Sequence, residues 1–231
     1  MAKSARRTEH RQPDRGRKHP DGALSACGDD ATAPAARAAR AGDERRADRA
    51  LGSSREASRS RSARHVRRLD RTCTPDVQAL FERCAAFFIL AEGASPDTQA
   101  GARELETIIA GRSAAETFCL GVYHEGSLVA FLHLTENYPR QDEWWIGLFL
   151  VDPGLRRLGF GTEIHRAVSE WILENGGRRL WLGVLEQNRD AERFWRKLGY
   201  AERERQPYTM KSGAESVVIL MSLPIISVSR A

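Results

Sequence analysis

Apolar residues along this chain recur with helical spacing in some segments and follow strand-like patterns in others. Helical spacing is found at residues 74–91, 96–110, 162–175 and 190–198. Strand-like patterns are found at residues 66–70, 117–123, 127–135, 143–151, 180–184, 200–205 and 217–223. The order β-α-α-β-β-β-α-β-α-β-β, without an internal repeat, predicts an α/β protein whose helices pack on the faces of a mixed sheet.

The strand predicted at residues 143–151 is almost continuously apolar. Alternating polarity would indicate a strand with one face in water, whereas continuous apolarity indicates that both faces are covered. We therefore predict that this strand is central. The helix that follows it, at residues 162–175, has the clearest apolar stripe in the chain, and Gly176 with Gly177 ends it.

Residues 1–65 differ in composition from the rest of the chain. They contain no Phe, Trp, Tyr, Ile or Val, and their only large apolar side chains are Met1, Leu24 and Leu51. Such a segment cannot bury enough apolar surface to offset its ordering entropy, so we predict a disordered tail and one folded domain at residues 66–231. The tail also resembles translated upstream sequence from GC-rich DNA, in which case synthesis would start near Val66.

The net charge of +5 comes from the same tail. Residues 1–65 hold 16 Lys and Arg against 9 Asp and Glu, and the rest of the chain is slightly acidic. Clusters such as Arg45 with Arg46 would allow salt-sensitive contacts to nucleic acid or to an anionic membrane. Acidic residues lie among them and no aromatic side chain is present for base stacking, so we favour a solvated extension without such partners.

The cysteines and the longest apolar run bear on cellular location. The four cysteines show no Cys-x-x-Cys spacing and no nearby pair of histidines, so neither a metal site nor a disulfide framework is predicted. The run from Cys84 to Ala91 is far shorter than the ~20 residues that span a bilayer, and no signal peptide is visible. We expect a cytoplasmic protein.

A glycine-rich turn lies between the central strand and the clearest helix. Its sequence is VDPGLRRLGFGT, residues 151–162. Backbone N–H groups at a helix N-terminus bind anions, because they lack intrahelical acceptors and the helix dipole favours negative charge. Gly159 and Gly161 allow close approach of a ligand, and Arg156 and Arg157 add positive charge. The turn is therefore a candidate phosphate site.

Two common phosphate motifs do not fit this turn. A dinucleotide-binding fingerprint would need a third glycine or an alanine where Ile164 stands, and the loop after the strand is too long for it. A Walker A loop would need Gly-Lys-Ser or Gly-Lys-Thr, which is absent. A turn whose glycines serve only backbone geometry is the alternative to a phosphate site.

Two blocks of the sequence resemble the GNAT family of N-acetyltransferases. Residues 156–161, RRLGFG, resemble the family signature (Q/R)-x-x-G-x-(G/A) that follows a hydrophobic strand. Residues 188–200 are similar to the later family block N-x-x-A-x-x-F-Y-x-x-x-G-F and lie at the expected distance. The resemblance extends from Val66 to about Leu223. It implies a GNAT-like fold, with a mostly antiparallel mixed sheet flanked by helices.

The resemblance also implies a donor, acetyl-CoA, and direct transfer to an amine without a metal. The donor pyrophosphate would lie on backbone N–H groups of residues 157–162, and the strand edge at residues 149–151 would hydrogen-bond the pantetheine arm. Asn188 would contact the donor, and Trp195 would pack against the donor or the core. The implied donor-binding residues are Phe149, Leu150, Val151, Arg156, Arg157, Leu158, Gly159, Phe160, Gly161, Thr162, Asn188 and Trp195.

Candidate bases lie on two neighbouring predicted strands. Glu143 begins the central strand, and the resemblance favours it because the family often uses a carboxylate there; a solvated strand-end charge is the alternative. His133 and Glu136 on the preceding strand are weaker candidates. Since His133 lies between apolar residues, a structural histidine is the alternative for it.

The general acid is open, because Trp195 stands where many relatives have a tyrosine. An indole cannot supply a proton to the leaving thiolate. Tyr200 or Tyr138 would replace the missing tyrosine, or solvent would supply the proton. Trp144 and Trp145 are candidates for lining the acceptor pocket, although aromatic residues on a strand are usually core.

Three functions are compatible with the sequence. The leading one is acetyl-CoA-dependent N-acetylation of a primary amine on a small molecule, or of a peptide amine. The second is an acyl-CoA-binding module without catalysis, which the substitution at Trp195 motivates. The third makes the tail a nucleic-acid-binding arm. The acceptor cannot be named because a fold does not fix a substrate, and a homodimer is compatible with the sequence.

Overall fold

The computed structural model describes residues 65–210 and 212–226. Its strands are β1 (His65–Arg68), β2 (Thr117–His124), β3 (Ser127–Glu136), β4 (Glu143–Val151), β5 (Arg179–Leu185), β6 (Ala201–Thr209) and β7 (Glu215–Pro224). Its helices are α1 (Thr74–Arg83), α2 (Ala85–Glu92), α3 (Ala100–Glu106), α4 (Phe160–Glu174) and α5 (Arg189–Lys197). The tail predicted at residues 1–65 lies outside the described residues except for His65, which belongs to β1.

The first two predicted helices differ from the observed ones. The helix predicted at residues 74–91 is two helices, α1 and α2, because the backbone turns at Cys84 with φ −92° and ψ 16°. The Sγ atom of Cys84 lies 3.8 Å from the carbonyl oxygen of Val151, so a contact with β4 accompanies the break. The helix predicted at residues 96–110 is shorter, because the Asp97 carboxylate holds a turn before α3 and Thr107 is extended after it.

The described strands form one sheet in the order β1-β2-β3-β4-β5-β7-β6. Neighbouring strands are antiparallel except β4 and β5, which run parallel. This confirms the predicted mixed, mostly antiparallel sheet with β4 at its centre. Both faces of β4 are covered, because Trp144 and Ile146 pack in the core with α4, and Leu148 and Leu150 pack in the core with α1 and α2.

The parallel strands β4 and β5 separate partway along their length. They pair over residues 143–146 of β4 and 179–182 of β5. Beyond that point no described strand lies between them, since β4 continues to residue 151 paired with β3 and β5 continues to residue 185 paired with β7. We call the space between the two diverging strand ends the gap. The β5-facing edge of residues 147–151 therefore has no strand partner among the described residues.

No helix within residues 65–210 and 212–226 combines the length and the apolarity needed to cross a membrane.

Candidate functional site

The glycine-rich turn connects the open end of β4 to α4. Its first part is rigid, because the Asp152 carboxylate accepts a hydrogen bond from the Gly154 N–H at 2.9 Å and pairs with Arg83 Nε at 2.6 Å. A 3-10 turn at Pro153–Leu155 follows. These contacts fix the direction in which the chain leaves β4 and approaches the helix.

The N-terminus of α4 is uncapped. The helix starts at Phe160, two residues before the predicted start, and its N-cap is Gly159, which has no side chain and a φ of +83°. The first backbone bond of the helix runs from the Glu163 N–H to the Gly159 carbonyl at 3.1 Å. By helix geometry, the N–H groups of Gly161 and Thr162 precede that bond and are left for an external acceptor. An anion site of the predicted kind needs such N–H groups, and anion binding here stays a prediction.

The two signature glycines serve different purposes. Gly159 has a left-handed backbone, and a Cβ added there would contact nothing within 4 Å. A Cβ added to Gly161 would lie 3.3 Å from the ring of Phe194 on α5. Gly161 therefore allows α4 and α5 to pack closely, whereas Gly159 leaves open space in front of the N-terminus of α4.

The residues before Gly159 point in different directions. Arg156 turns back toward β4, where its Nε donates to the Val151 carbonyl at 2.9 Å and its guanidinium lies 3.7 Å from the Cys84 Sγ. That carbonyl is therefore already engaged by the protein. Arg157 has a left-handed φ of 63°, and the side chain of Leu158 is 73% exposed.

The unpaired edge of β4 lies beside aromatic residues of α5. The ring of Phe149 is 6.3 Å from that of Phe194 and 5.8 Å from that of Trp195. Leu150 is buried on the opposite face of the sheet. The Asn188 carboxamide accepts from the Ala191 N–H at 3.2 Å and so caps α5, and its predicted contact with the donor stays a prediction.

Trp195 and Tyr200 belong to the core. Tyr200 is 3% exposed, and its hydroxyl lies 3.0 Å from Nε2 of His165 on α4. Burial raises the pKa of Tyr200 well above its ordinary value. The geometry does not support Tyr200 as an acid for the leaving thiolate, because its hydroxyl is enclosed between α4 and α5 and bound to a histidine.

Glu143 is the first residue of β4 and lies at the closed end of the sheet, the end at which β4 and β5 are still paired. Trp181 Nε1 donates to its carboxylate at 2.9 Å, and Arg179 Nε lies 3.5 Å from the other oxygen. Gly147 comes four positions after Glu143, which is roughly 13 Å along a strand. The structure therefore does not bring Glu143 to the gap. Glu136 likewise ends β3 opposite Trp144, at the closed end.

The other aromatic candidates also lie in the core. Trp144 is 1% exposed and packs against Phe118 and Trp171. The ring of Trp145 meets that of Tyr138 edge to face at 5.6 Å, and burial raises the pKa of Tyr138. Only Trp145 of the tandem pair lies on the face that carries His133.

His133 is in contact with a carboxylate that the sequence analysis did not select. Its Nδ1 lies 2.7 Å from Oε1 of Glu104 on α3, and both side chains are buried. Glu104 lines a cavity of about 460 Å³, together with the loop between α2 and α3 and Ser212 of the β6–β7 connection. The sequence carries no clear signal for Glu104, since its place on the buried side of α3, three residues after the buried Gly101, is visible only in the structure.

Within residues 65–210 and 212–226, no group of three or more His, Cys, Asp or Glu side chains has an arrangement that could hold a metal ion. The described cysteines, Cys73, Cys84 and Cys119, are free and buried.

Comparison with known sequences and structures gives one consistent fold. Residues 75–200 match the model of the Acetyltransferase (GNAT) family. A curated relative, the uncharacterized N-acetyltransferase YobR of Bacillus subtilis (strain 168), is 32% identical over 56 residues. That match spans 24% of this chain and 23% of the relative.

Solved structures with the same fold cover most of the chain at low identity. The ribosomal-protein-S18-alanine N-acetyltransferase of Escherichia coli is 20% identical, with a TM-score of 0.54 over 73% of this chain and 99% of that one. Ard1 of Thermoplasma volcanium is 21% identical, with a TM-score of 0.54 over 71% and 99% of the two chains. An N-acetyltransferase of Staphylococcus aureus Mu50 is 13% identical, with a TM-score of 0.56 over 71% and 100%.

Proposed function

This chain belongs to the acetyltransferase (GNAT) family, and we propose that it transfers an acetyl group directly from acetyl-CoA to a primary amine. The family establishes an acyltransferase; the donor, the acceptor and the site residues are the proposal. The observation that carries it is the gap between β4 and β5, which lies at the end of β4 that leads into the uncapped N-terminus of α4.

The residues around the gap fit the chemistry of a CoA thioester. The free N–H groups of Gly161 and Thr162 suit a pyrophosphate, because the helix dipole and the missing intrahelical acceptors both favour an anion there. The β4 edge at residues 147–151 offers backbone groups to an arm that contains amides, as a neighbouring strand would. Bound there, acetyl-CoA supplies an activated acyl group.

The cavity that Glu104 lines suits an amine acceptor. Its wall carries the carboxylates of Glu92, Asp97 and Glu104 and the guanidinium of Arg103, so acidic groups outnumber basic ones. Phe81 and Phe88 form its apolar part. A cationic amine with an apolar body matches this wall, and an N-terminal peptide amine is the second acceptor class to test.

The competing function is a module that binds acyl-CoA without transferring the acyl group. Trp195 in place of the usual tyrosine and the enclosure of Tyr200 favour it, because neither residue offers a proton to a leaving thiolate. The two functions share a donor site and differ in one measurable property, which is thiol release that depends on an added amine.

Calorimetric titration with acetyl-CoA tests the donor site. In Gly159→Asp a carboxylate would face the donor pyrophosphate at the helix N-terminus, and like charges in contact cost several kcal/mol, or roughly 10²- to 10³-fold in affinity. Gly159→Asn is the matched control, because it has a similar size and the same backbone strain at a φ of +83° without the charge.

We expect Gly159→Asp to lose measurable affinity while Gly159→Asn retains most of it, with both variants folded. Equal affinities in the two variants would contradict the phosphate assignment. Thiol release is then measured with spermidine, tyramine, lysine ethyl ester and a peptide that begins with alanine. Binding without release for every amine would favour the non-catalytic module.

The remaining expectations stay predictions. They are a cytoplasmic location, a solvated tail at residues 1–65 without a nucleic-acid or membrane partner, and a homodimer as an assembly that the sequence allows.

A further inference from the structure

One face of β3 and β4 buries polar atoms that have no partner among the described residues. They are Nε2 of His133, Oγ1 of Thr135 and Nε1 of Trp145. Thr135 lies directly opposite Trp145 in the ladder, and His133 is two residues before Thr135, so the three side chains share a face. Unpaired buried polar atoms are rare, and three together indicate a place where a polar ligand or water binds.

Glu104 determines which nitrogen of His133 is free. An ionised carboxylate only accepts hydrogen bonds, so the Nδ1–H of His133 donates to Glu104 Oε1 across 2.7 Å. In the neutral imidazole the lone pair then lies on Nε2, the nitrogen without a partner. A carboxylate that fixes the tautomer and supports the positive charge is the arrangement that makes histidine an effective proton acceptor.

The bulge residue Gly147 lies between the two rings of this face. His133 opposes Leu148 and Leu134 opposes Ile146, so Gly147 has no residue opposite it. A Cβ added to Gly147 would lie 3.7 Å from Trp145 Cδ1 and 3.8 Å from His133 Cγ. Gly147 is also the first residue of β4 beyond its pairing with β5. The imidazole therefore lies where the gap begins.

We propose that His133, oriented by Glu104, accepts the proton of the acceptor amine, directly or through one water, and is the catalytic base of this site. This inference rests on the proposed function. The Glu104–His133 pair lies between the proposed acceptor cavity and the proposed donor site. Glu104 lines the cavity, and His133 lies against the bulge at the gap. Trp145 Nε1 donates a hydrogen bond to a bound water, and Thr135 Oγ1 accepts one from the ammonium or from that water.

The proton and bond changes balance as follows. The acceptor ammonium gives one proton to Nε2 of His133, and the neutral amine forms a bond to the acyl carbon. The bond between that carbon and sulfur breaks, and the electron pair leaves with the thiolate. The new amide nitrogen loses its second proton. One of the two protons goes to the thiolate and the other to solvent, which restores neutral His133.

The titratable and charged groups that face His133 come from α3 and β2. Glu104 is on α3, and Arg103 beside it lines the cavity. Cys119 of β2 lies opposite His133 in the ladder, and burial, assisted by the charge of Glu104, raises the pKa of its thiol to about 12. The thiol therefore stays neutral at physiological pH, which leaves Glu104 as the charge in direct contact with the imidazole.

The first test compares three variants in acetyl transfer to the best amine of the panel named above. His133→Asn keeps a donor for Glu104 and removes the base. We expect kcat to fall by roughly 10²- to 10⁴-fold at neutral pH, with unchanged acetyl-CoA affinity, and to recover at high pH where the amine is neutral in solution. Glu104→Gln should give a smaller fall of the same kind. Glu106→Gln is the control on the same helix, because Glu106 is exposed and pairs with Arg71.

The second readout is independent of turnover. In the ¹⁵N spectrum of the labelled native protein, with the His133 ring assigned through correlations to its own Cα and Cβ, we expect the neutral imidazole to carry its proton on Nδ1 and none on Nε2. Glu104→Leu, which removes the acceptor of the Nδ1–H, should change that tautomer, and Glu106→Gln should leave it unchanged. A neutral His133 imidazole with its proton on Nε2 would overturn the proposal.

Failure of this inference differs from failure of the proposed function. If His133→Asn keeps the native kcat and pH profile while Gly159→Asp loses acetyl-CoA binding, the proton acceptor is another group and the acetyltransferase stands. If the native protein binds acetyl-CoA but acetylates no amine, the proposed function fails. A His133→Asn variant that does not fold leaves the decision to the tautomer of the native protein.

Discussion

His133 and His165 are both buried, on opposite faces of the sheet, and they differ in what their ring nitrogens contact. His165 lies between α4 and α5, where Nε2 meets the Tyr200 hydroxyl at 3.0 Å and the Ser169 hydroxyl at 3.5 Å. His133 lies under α3, where Nδ1 meets the Glu104 carboxylate and Nε2 meets no described residue. The hydrogen-bonding partners of His165 are neutral hydroxyl groups, whereas the partner of His133 is a carboxylate.

The difference separates a structural histidine, His165, from the histidine proposed as the base, His133. Burial without a compensating charge lowers the pKa of His165 to about 4, so this ring stays neutral at physiological pH. His133 differs from it in having a carboxylate, that of Glu104, as its direct partner. Burial alone therefore does not decide the role of a histidine. We expect the largest effect on turnover from His133→Asn, and a smaller one from any substitution at His165.

His165 should instead make stability depend on pH. Its pKa is about 4 in the folded protein and 6.5 in the reference state, so the unfolded chain binds the proton first as pH falls. The stabilisation is complete above pH 6.5 and is lost between about pH 6.5 and pH 4, by about 3 kcal/mol. Urea unfolding of the native protein and of His165→Gln across this range measures the difference.

We expect the free energy of unfolding of His165→Gln to fall less steeply with acid than that of the native protein, although Gln lowers its value at neutral pH. His65→Gln is the control, since His65 is exposed on β1. Parallel pH dependences for the native protein and His165→Gln would show that His165 is not the neutral structural histidine of the comparison.

Substitution of Glu143, which lies on the same face of the sheet as His133, has the smallest expected effect. Glutamine at this position can still accept from Trp181 Nε1 but loses the ion pair with Arg179, which is partly exposed. We expect Glu143→Gln to lower the free energy of unfolding by about 1 kcal/mol or less and to leave kcat within a factor of a few. A fall of kcat by 10²-fold or more, with the acidic limb of the pH profile lost, would restore Glu143 as the base and remove His133.

The fold and the proposed donor site were the parts most accessible from the sequence, because local chemistry specifies them. The glycines at residues 159 and 161 can be recognised from sequence, since a helix that starts at glycine exposes free N–H groups. The continuous apolarity of residues 143–151 identified the central strand, because only a strand covered on both faces is apolar throughout.

The residues proposed to accept the proton were harder to predict, because their arrangement depends on register. The sequence of β4 does not show that Gly147 is a bulge or that pairing with β5 ends at Ile146. Without that register, the family resemblance favours Glu143 over His133 on the adjacent strand. Glu104 lies in a segment predicted as an ordinary amphipathic helix, and only the packing of α3 against β3 brings it to His133.

Amide hydrogen exchange with and without acetyl-CoA tests the central claim, that the gap and the start of α4 form the donor site. We predict slower exchange on binding at residues 158–162 and at those amides of residues 147–151 that face the gap. The amides of residues 143–146, which are already paired with β5 or β3, should not change. Protection confined to another region, such as the shallow cavity lined by Glu186, Arg189 and Ser216, would contradict the account.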